Sequence, residues 1–411
     1  MSLIYSLVIH VFYMVVQIAS PFNKKARLWI QGRKGWRKKL RMWHSSGSPV
    51  FWFHAASLGE FEQGRPLIEE IKKRLPGCCI LLTFYSPSGY EVRKNYQWAD
   101  LVIYLPLDTW YNARCFINLV KPDAVFFIKY EFWYFYLKQL HRMKLPVYLV
   151  SGIFRSGQIF FRWYGSWFRS KLRYFTHFFM QDQASADLLT SLGFCNYTIS
   201  GDTRFDRVIM LKIQVNNIEI AEAFSTGHFC LVAGSTWIDD EKLLVRLINE
   251  IPDIKLIIAP HEIDEAHIAN LRTMLKAGYI LFSKSTKNNI TDKQILIIDN
   301  IGLLSSLYRY GQLAYIGGGF GKGIHNILEA SAFSLPVIFG PNYLKSREAI
   351  DLLRIGGAFT INNYDELYTT VYSMKEDPVK YKALCLKAFD YVLNNKGATE
   401  IILEKANIAY L

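Results

Sequence analysis

Short, nearly continuous apolar runs recur along the first half of the chain: "PVFWFHAA", "CCILLTF", "DLVIYLPL", "DAVFFIKYE", "PVYLVSG" and "HFFMQD". Helix-length segments of mixed polarity separate them. Strands apolar on both faces and alternating with helices predict a parallel sheet covered on each side. The alternation restarts after residue 225 with "FCLVAGS", "IKLIIAP", "ILIIDN", "LAYIGGG" and "PVIFGP". The pattern therefore predicts two doubly wound α/β domains in series. Such sheets bind ligands at the carboxyl ends of their strands, here in a cleft between the domains.

The first 22 residues follow neither pattern. "MSLIYSLVIHVFYMVVQIASPF" has no charged side chain before Lys24 and is about as long as a bilayer-spanning helix requires. The positive charge follows the apolar run instead of preceding it, which favours an uncleaved anchor over a signal peptide. Lys24, Lys25, Arg27, Arg33, Lys34, Arg37, Lys38, Lys39 and Arg41 come next with no acid among them. The positive-inside rule places such a segment, and the domains behind it, on the cytoplasmic side. The expected division is an anchor at 1–22, a basic juxtamembrane segment at 23–45, a first domain at 46–207, a linker at 208–226 and a second domain at 227–411. The C-terminal helices belong to that second domain, the last of them with the option of crossing back to the first.

With 411 residues, half of them apolar, and a net charge of +13, the chain has ample core for two domains and calls for an anionic partner. Between Glu131 and Asp182 basic residues, Arg155 among them, interleave with aromatics and no acid intervenes. That pattern suits a surface dipping into a membrane interface, and equally a core helix with a solvated basic edge. It also occurs in single-strand nucleic acid binders, but the anchor points away from nucleic acid. The six cysteines lack C-x-x-C spacing and disulfide-scaffold density, so they read as reduced cytosolic thiols.

Candidate chemistry gathers where strands end. In "FHAASLGEFEQGRP", Ser57 and Glu60 have the S-x-x-E spacing of a capping box, and Glu60 is also an acid placed for catalysis. In "LAYIGGGFGKGIHNILEASAFSLPVIFGPN", a buried strand runs into Gly317, Gly318, Gly319, Gly321 and Gly323, with a helix expected from His325 or Asn326. Backbone N–H groups there could approach a phosphate. The loop is neither G-x-G-x-x-G nor a Walker A sequence, since Gly323 follows Lys322 where Ser or Thr is required. Glu329, near that helix start, could accept from ribose hydroxyls or compensate the helix dipole.

"LVAGSTWIDDE" puts Ser235 and Thr236 at one strand end, and "IIAPHEID" puts Pro260, His261 and Glu262 at the next. His267 lies six residues beyond His261, which misses H-E-x-x-H, and no metal site is indicated. "ISGDTRFDRV" offers Arg204 to an anion or to a neighbouring Asp.

Taken together and in order, "HAASLGEF", "SGDTRFD", "AGSTWIDDE", "APHEI", "DNIGLLSSLYRYGQLAYIGGGF" and "GIHNILEASAFSLPVIFGPN" resemble the Kdo transferase family of lipopolysaccharide synthesis (3-deoxy-D-manno-octulosonic acid transferase). The resemblance covers nearly the whole chain. It implies a GT-B fold and inverting transfer of Kdo from CMP-Kdo to the lipid A precursor at the cytoplasmic face of the inner membrane. CMP-Kdo is then a substrate, and neither a cofactor nor a metal is called for. Glu60 matches the family's catalytic base, with Ser57 and Gly59 beside it. Ser235, Thr236, Pro260, His261, Glu262, Asn326 and Glu329 would line the donor side, with Gly318, Gly319 and Gly321 at the phosphate and Arg204 or Lys345 as its cation.

Two departures from the family pattern bear on the acceptor. Many members read E-x-E-x-W where this chain has Lys129, Tyr130, Glu131, Phe132 and Trp133, and their N-A-R stretch is replaced by "SGIFR" with Arg155. Glu131, Lys129 and Arg155 are accordingly assigned to acceptor positioning. The competing readings are another GT-B sugar-nucleotide enzyme, such as a lipid A disaccharide synthase or an epimerase, and a non-catalytic protein that binds anionic lipid. Oligomeric state is not legible in the sequence.

Overall fold

The computed structural model describes residues 1–43, 47–214 and 217–408. It divides into two compact units, one of Met1–Arg207 with Lys396–Leu411 and one of Val208–Asn395.

The first unit holds a seven-stranded sheet in which every neighbouring pair is parallel. Its strands are β1 (Val50–Ala55), β2 (Cys79–Phe84), β3 (Leu101–Tyr104), β4 (Ala124–Ile128), β5 (Val147–Gly152), β6 (His177–Met180) and β7 (Tyr197–Ile199). Their order is β3-β2-β1-β4-β5-β6-β7. The period of two in β1 sends Val50 and Trp52 to one buried layer and Phe51, Phe53 and Ala55 to the other. Aromatic rings fill both layers: Trp52 meets Phe116 at 4.8 Å, and Phe53 stacks on Phe126 at 4.6 Å.

The second unit repeats the scheme with β8 (Phe229–Thr236), β9 (Ile254–Pro260), β10 (Tyr279–Leu281), β11 (Ile295–Ile297), β12 (Leu313–Ile316), β13 (Val337–Phe339) and β14 (Ala358–Thr360). The order is β10-β11-β9-β8-β12-β13-β14, again all parallel. In each sheet the winding reverses beside the first strand, between β1 and β4 and between β8 and β12. Those are the switch points where an open α/β sheet leaves a crevice for ligands.

All eleven apolar runs form strands. The strands that the hydrophobic pattern did not announce are β7, β10 and β14, each three residues long and each at a sheet edge. An edge strand is covered less completely, so its sequence need not be continuously apolar.

Two boundaries depart from expectation. The segment expected as a linker, 208–226, belongs to the second unit, whose boundary at 207/208 is where the first domain was expected to end; a helix at Thr203–Gln214 carries the chain across it, and Glu219–Ser225 is helical as well. The second unit ends at Asn395 instead of 411, because the last helix (Ala398–Lys405) packs Ile402 and Leu403 into the first unit's core. Asp206 fixes its start, accepting from the N–H of Gly397 and Thr399 at 2.5 and 2.7 Å and from the Thr399 hydroxyl at 2.7 Å. The boundary expected at 45/46 lies outside the described residues.

At the N-terminus α1 (Ser2–Ala19) is long and apolar enough to cross a membrane, with mean hydropathy 1.9. The basic segment behind it forms α2 (Lys24–Gly32) and α3 (Trp36–Met42) and is not wholly on the surface. Arg33 is buried, stacked 3.7 Å over Trp29, and donates to the carbonyls of Trp29, Tyr85 and Leu105. Burial lowers its guanidinium pKa to about 10. The acid-free aromatic stretch is mixed: Phe160, Lys171 and Leu172 are buried, Phe161, Trp167, Phe168 and Tyr174 are partly buried against the core, and Trp163 and Tyr164 stand exposed.

Candidate active site

At the first switch point β1 runs into α4 (Leu58–Arg74). Glu60 occupies its first turn, and its Oε2 accepts from the N–H of Ala56 at 2.6 Å and of Ser57 at 3.1 Å. The capping reading is therefore correct as geometry. It is incomplete as chemistry, because the same carboxyl is mostly buried and its pKa is raised above the ordinary glutamate value. Burial is the larger cause and the negative charge of Glu131 the next, opposed by the two N–H bonds and by His54. A carboxyl held in a fixed rotamer with raised proton affinity suits a general base.

Glu131 follows β4 and is buried. Its Oε2 lies 3.0 Å from His54 Nε2 and accepts from the indole N–H of Trp133. His54 Nδ1 meets the Thr83 carbonyl at 3.1 Å and the Thr83 hydroxyl at 2.9 Å. A carbonyl can only accept, so His54 carries a proton on Nδ1 and turns Nε2 towards Glu131 and Trp133. Thr83 in turn accepts from Trp52 Nε1 and donates to the Phe53 carbonyl. This network fixes Glu131 from beneath the sheet end. Its members His54 and Thr83 were not singled out from the sequence, although His54 stands in the same "HAASLGE" stretch as Glu60, and Trp133 was named there only as the end of the altered E-x-E-x-W pattern.

Lys129, between β4 and Glu131, has φ 69°, and Ser151, at the end of β5, has φ 52°. Left-handed backbone at two non-glycine residues on adjacent strand ends is costly and marks a site the fold holds in place. Tyr130 sits in the fields of Glu60, Arg155 and Asp182, so Arg155 does return to this corner. Gly59 is exposed, and a Cβ there would meet no atom within 4 Å. Arg204 is ion-paired to Asp202 at 2.7 Å, the intramolecular alternative to an anion contact.

The second switch point is built from rings and glycines. Ser235, at the end of β8, has φ 54°. Thr236 is buried and donates to Glu241, whose Oε1 also lies 2.9 Å from His267 Nε2. Past β9, the N–H of His261 donates to the Thr236 carbonyl, and its ring stacks between Trp237 (4.7 Å) and His325 (4.6 Å). Burial and the neighbouring His261 lower the pKa of His325, favouring the neutral ring. Beside this stack is a cavity of about 440 Å³ lined by Trp237, Asp240, Phe320, Gly321, Lys322 and His325 among others.

The glycine loop differs from expectation in a specific way. The N–H groups of Gly317, Gly318, Gly321 and Gly323 bond to Gly234, Asp240, Gly318 and Gly318 respectively, so these four serve the protein itself and do not reach for a phosphate. The glycines are required by close approach: a Cβ on Gly317 would sit 2.2 Å from the Ser235 carbonyl oxygen, and one on Gly319 would sit 2.5 Å from Gly340 N. The helix behind the loop starts at Leu328 and has only five residues. Asn326 and Glu329 are joined by a 3.1 Å bond at its start. Pro260 closes β9, and Glu262 and Lys345 are exposed. Asp240, unremarked in the sequence, anchors the loop by accepting from Trp237 N, Gly318 N and Tyr315 Oη.

Two parallel α/β units in series, each wound about its own switch point, form a GT-B-like fold. Solved structures with this fold include a UDP-GlcNAc 2-epimerase from Neisseria meningitidis (TM-score 0.62, 15% identity, covering 88% of this chain and 100% of that one). MurG from Acinetobacter baumannii is another (TM-score 0.53, 10% identity, 87% and 98%). At these identities the likeness is one of fold.

Sequence comparison is more particular. Residues 32–207 match the family model of 3-deoxy-D-manno-octulosonic-acid transferase (kdotransferase). The Kdo transferase of Aquifex aeolicus is 29% identical over 354 residues, 82% of this chain and 90% of that protein. That of Haemophilus influenzae is 24% identical over 370 residues, 85% of each. The family-model match is confined to residues 32–207, and the pairwise likeness to Kdo transferases continues into the second unit.

Proposed function

We propose that this protein transfers Kdo from CMP-Kdo to the lipid A precursor in lipopolysaccharide core synthesis, with inversion at the anomeric carbon. The observation that carries the reading is Glu60, fixed at the first switch point with its proton affinity raised by burial and by Glu131. A glucosamine hydroxyl of the acceptor attacks the anomeric carbon of Kdo, Glu60 takes the hydroxyl proton, and the bond to the CMP phosphate breaks with its electron pair leaving on CMP. General-base assistance of this kind is worth about 10²–10⁴ in rate.

Glu131, held by His54 and Trp133, sets the field around Glu60, while Lys129 and Arg155 are cations for the anionic acceptor. The second unit holds the donor. The rings of His261 and His325, the Ser235–Thr236 turn and the cavity beside Trp237 support CMP binding there, with Lys345 as an exposed cation for its phosphate. No divalent metal enters this scheme, and treatment with EDTA should leave turnover unchanged. The basic, acid-free N-terminal segment supports a reaction at an anionic membrane surface, which we take to be the cytoplasmic face.

Mass spectrometry of a lipid A precursor incubated with the protein and either CMP-Kdo or a UDP-sugar tests the reading. Added Kdo mass with CMP-Kdo alone supports it. Product only with a UDP-sugar would reassign the enzyme within the same fold.

A further inference from the structure

An anchor that crosses a membrane and a helix that lies along its own domain make incompatible demands on residue 5. If α1 spanned the bilayer from Ala19, Tyr5 would stand about 21 Å deep, well into a hydrocarbon core roughly 30 Å thick. Instead, the Tyr5 hydroxyl donates to Asp108 Oδ2 at 2.6 Å. Asp108 is buried and also accepts from the N–H of Phe135 and Tyr136. The buried Lys171 ammonium lies 4.9 Å from the centre of the Tyr5 ring. That socket belongs to the folded unit and cannot follow Tyr5 into lipid.

Two turns further on, Phe12 and Tyr13 pack against Trp29 of α2 at 5.8 and 6.3 Å. Both ends of this stretch therefore rest on the first unit. Ser2, Tyr5, Ser6, Ile9, Tyr13, Val16 and Ala19, which fall on one side at helical spacing, are the half-buried positions of α1. The opposite side is exposed, centred on Ile4, Leu7, Val11, Met14 and Ile18 and widened by Leu3, Val8 and Val15. His10, near the middle of the helix, is also exposed, which is costly at a bilayer centre and ordinary at headgroup depth. Nine cations follow between Lys24 and Arg41, and the first acidic residue of the chain is Glu60 itself. All but the buried Arg33 are available to anionic headgroups.

We infer that α1 is an in-plane helix, keyed to the first unit by Tyr5 and immersed by its outer apolar stripe in an anionic bilayer interface, and that it does not cross the membrane. The bilayer surface is thereby set beside the active site. Trp29 touches Tyr85 at 5.7 Å, and Tyr85 packs at a tilt, 4.6 Å away, on Trp133, the residue bonded to Glu131 and His54. This inference stands independently of which sugar is transferred.

A neutral hydrophilic epitope placed before Met1 of the full chain, with protease added to intact spheroplasts, tests it. The exposed native Cys195, probed with an impermeant maleimide, reports the side of the folded units. Epitope and Cys195 protected or exposed together is the expected result. An epitope cut from outside while Cys195 stays protected would overturn the inference. The key itself is tested by Tyr5→Phe in nanodiscs containing anionic lipid. Loss of a hydrogen bond to a carboxylate should speed amide exchange across residues 2–9 by roughly tenfold or more. Unchanged exchange would show that Tyr5 does not hold the helix.

Discussion

The two α/β units share a strand order around the switch point, yet they equip it in opposite ways. The first places two acids there that act on one another: the charge of Glu131 raises the proton affinity of Glu60, and Lys129 and Ser151 adopt left-handed backbone nearby. The second places glycines and rings there and satisfies them internally, with Asp240 and the loop's own carbonyls taking up the N–H groups. One switch point carries the electrostatic tension on which the proposed base rests, and the other is a closely packed, internally bonded loop. Under the proposed function the same fold separates chemistry from holding by what it puts at equivalent positions.

Substitutions can break that division. The largest effect is expected from Glu60→Gln, which keeps the size of the side chain and removes the base. Turnover should fall about 10²–10⁴-fold with the thermal transition retained. Loss of the fold instead would show that the cap was its main task.

Next is Gly319→Ala in the second unit. Its Cβ would press on the backbone of Gly340, which has no flexible end to yield. Overpacking of this kind costs about 1–3 kcal/mol, and calorimetry should show a lower Tm for the second unit together with weakened CMP binding.

Glu131→Gln sharpens the electrostatic half of the comparison. The negative charge of Glu131 raises the pKa of Glu60, so removing it lets Glu60 stay ionised to lower pH. The acid limb of the pH–rate profile should move to lower pH, and an unmoved limb would remove Glu131 from the role assigned to it.

The smallest effect separates stability from function at a single glycine. A methyl at Gly59 meets nothing within 4 Å, and alanine suits a helix better, so stability should hold or rise by up to about 1 kcal/mol. If the acceptor passes over this turn, KM for the acceptor rises all the same.

The sequence showed the buried strands because a strand covered on both faces must be apolar throughout, and it hid β7, β10 and β14 because edges escape that demand. Glu60 was visible through its spacing from Ser57, but spacing alone could not separate cap from base; the neighbour that raises its pKa lies 71 positions later and meets it only in the fold. The glycines were visible too, and their reason was misjudged. Gly317 and Gly319 answer to backbone atoms of Ser235 and Gly340, distant partners that no local pattern encodes. Tyr5 read as one apolar residue in an anchor, because its partners Asp108 and Lys171 are brought to it by two distant segments.

The most direct test of the division of labour is a calorimetric titration of CMP into Glu60→Gln beside the natural protein, with turnover on lipid A precursor measured on the same samples. The account predicts equal CMP affinity and lost turnover in the variant. Loss of CMP binding along with turnover, or turnover retained, would contradict it.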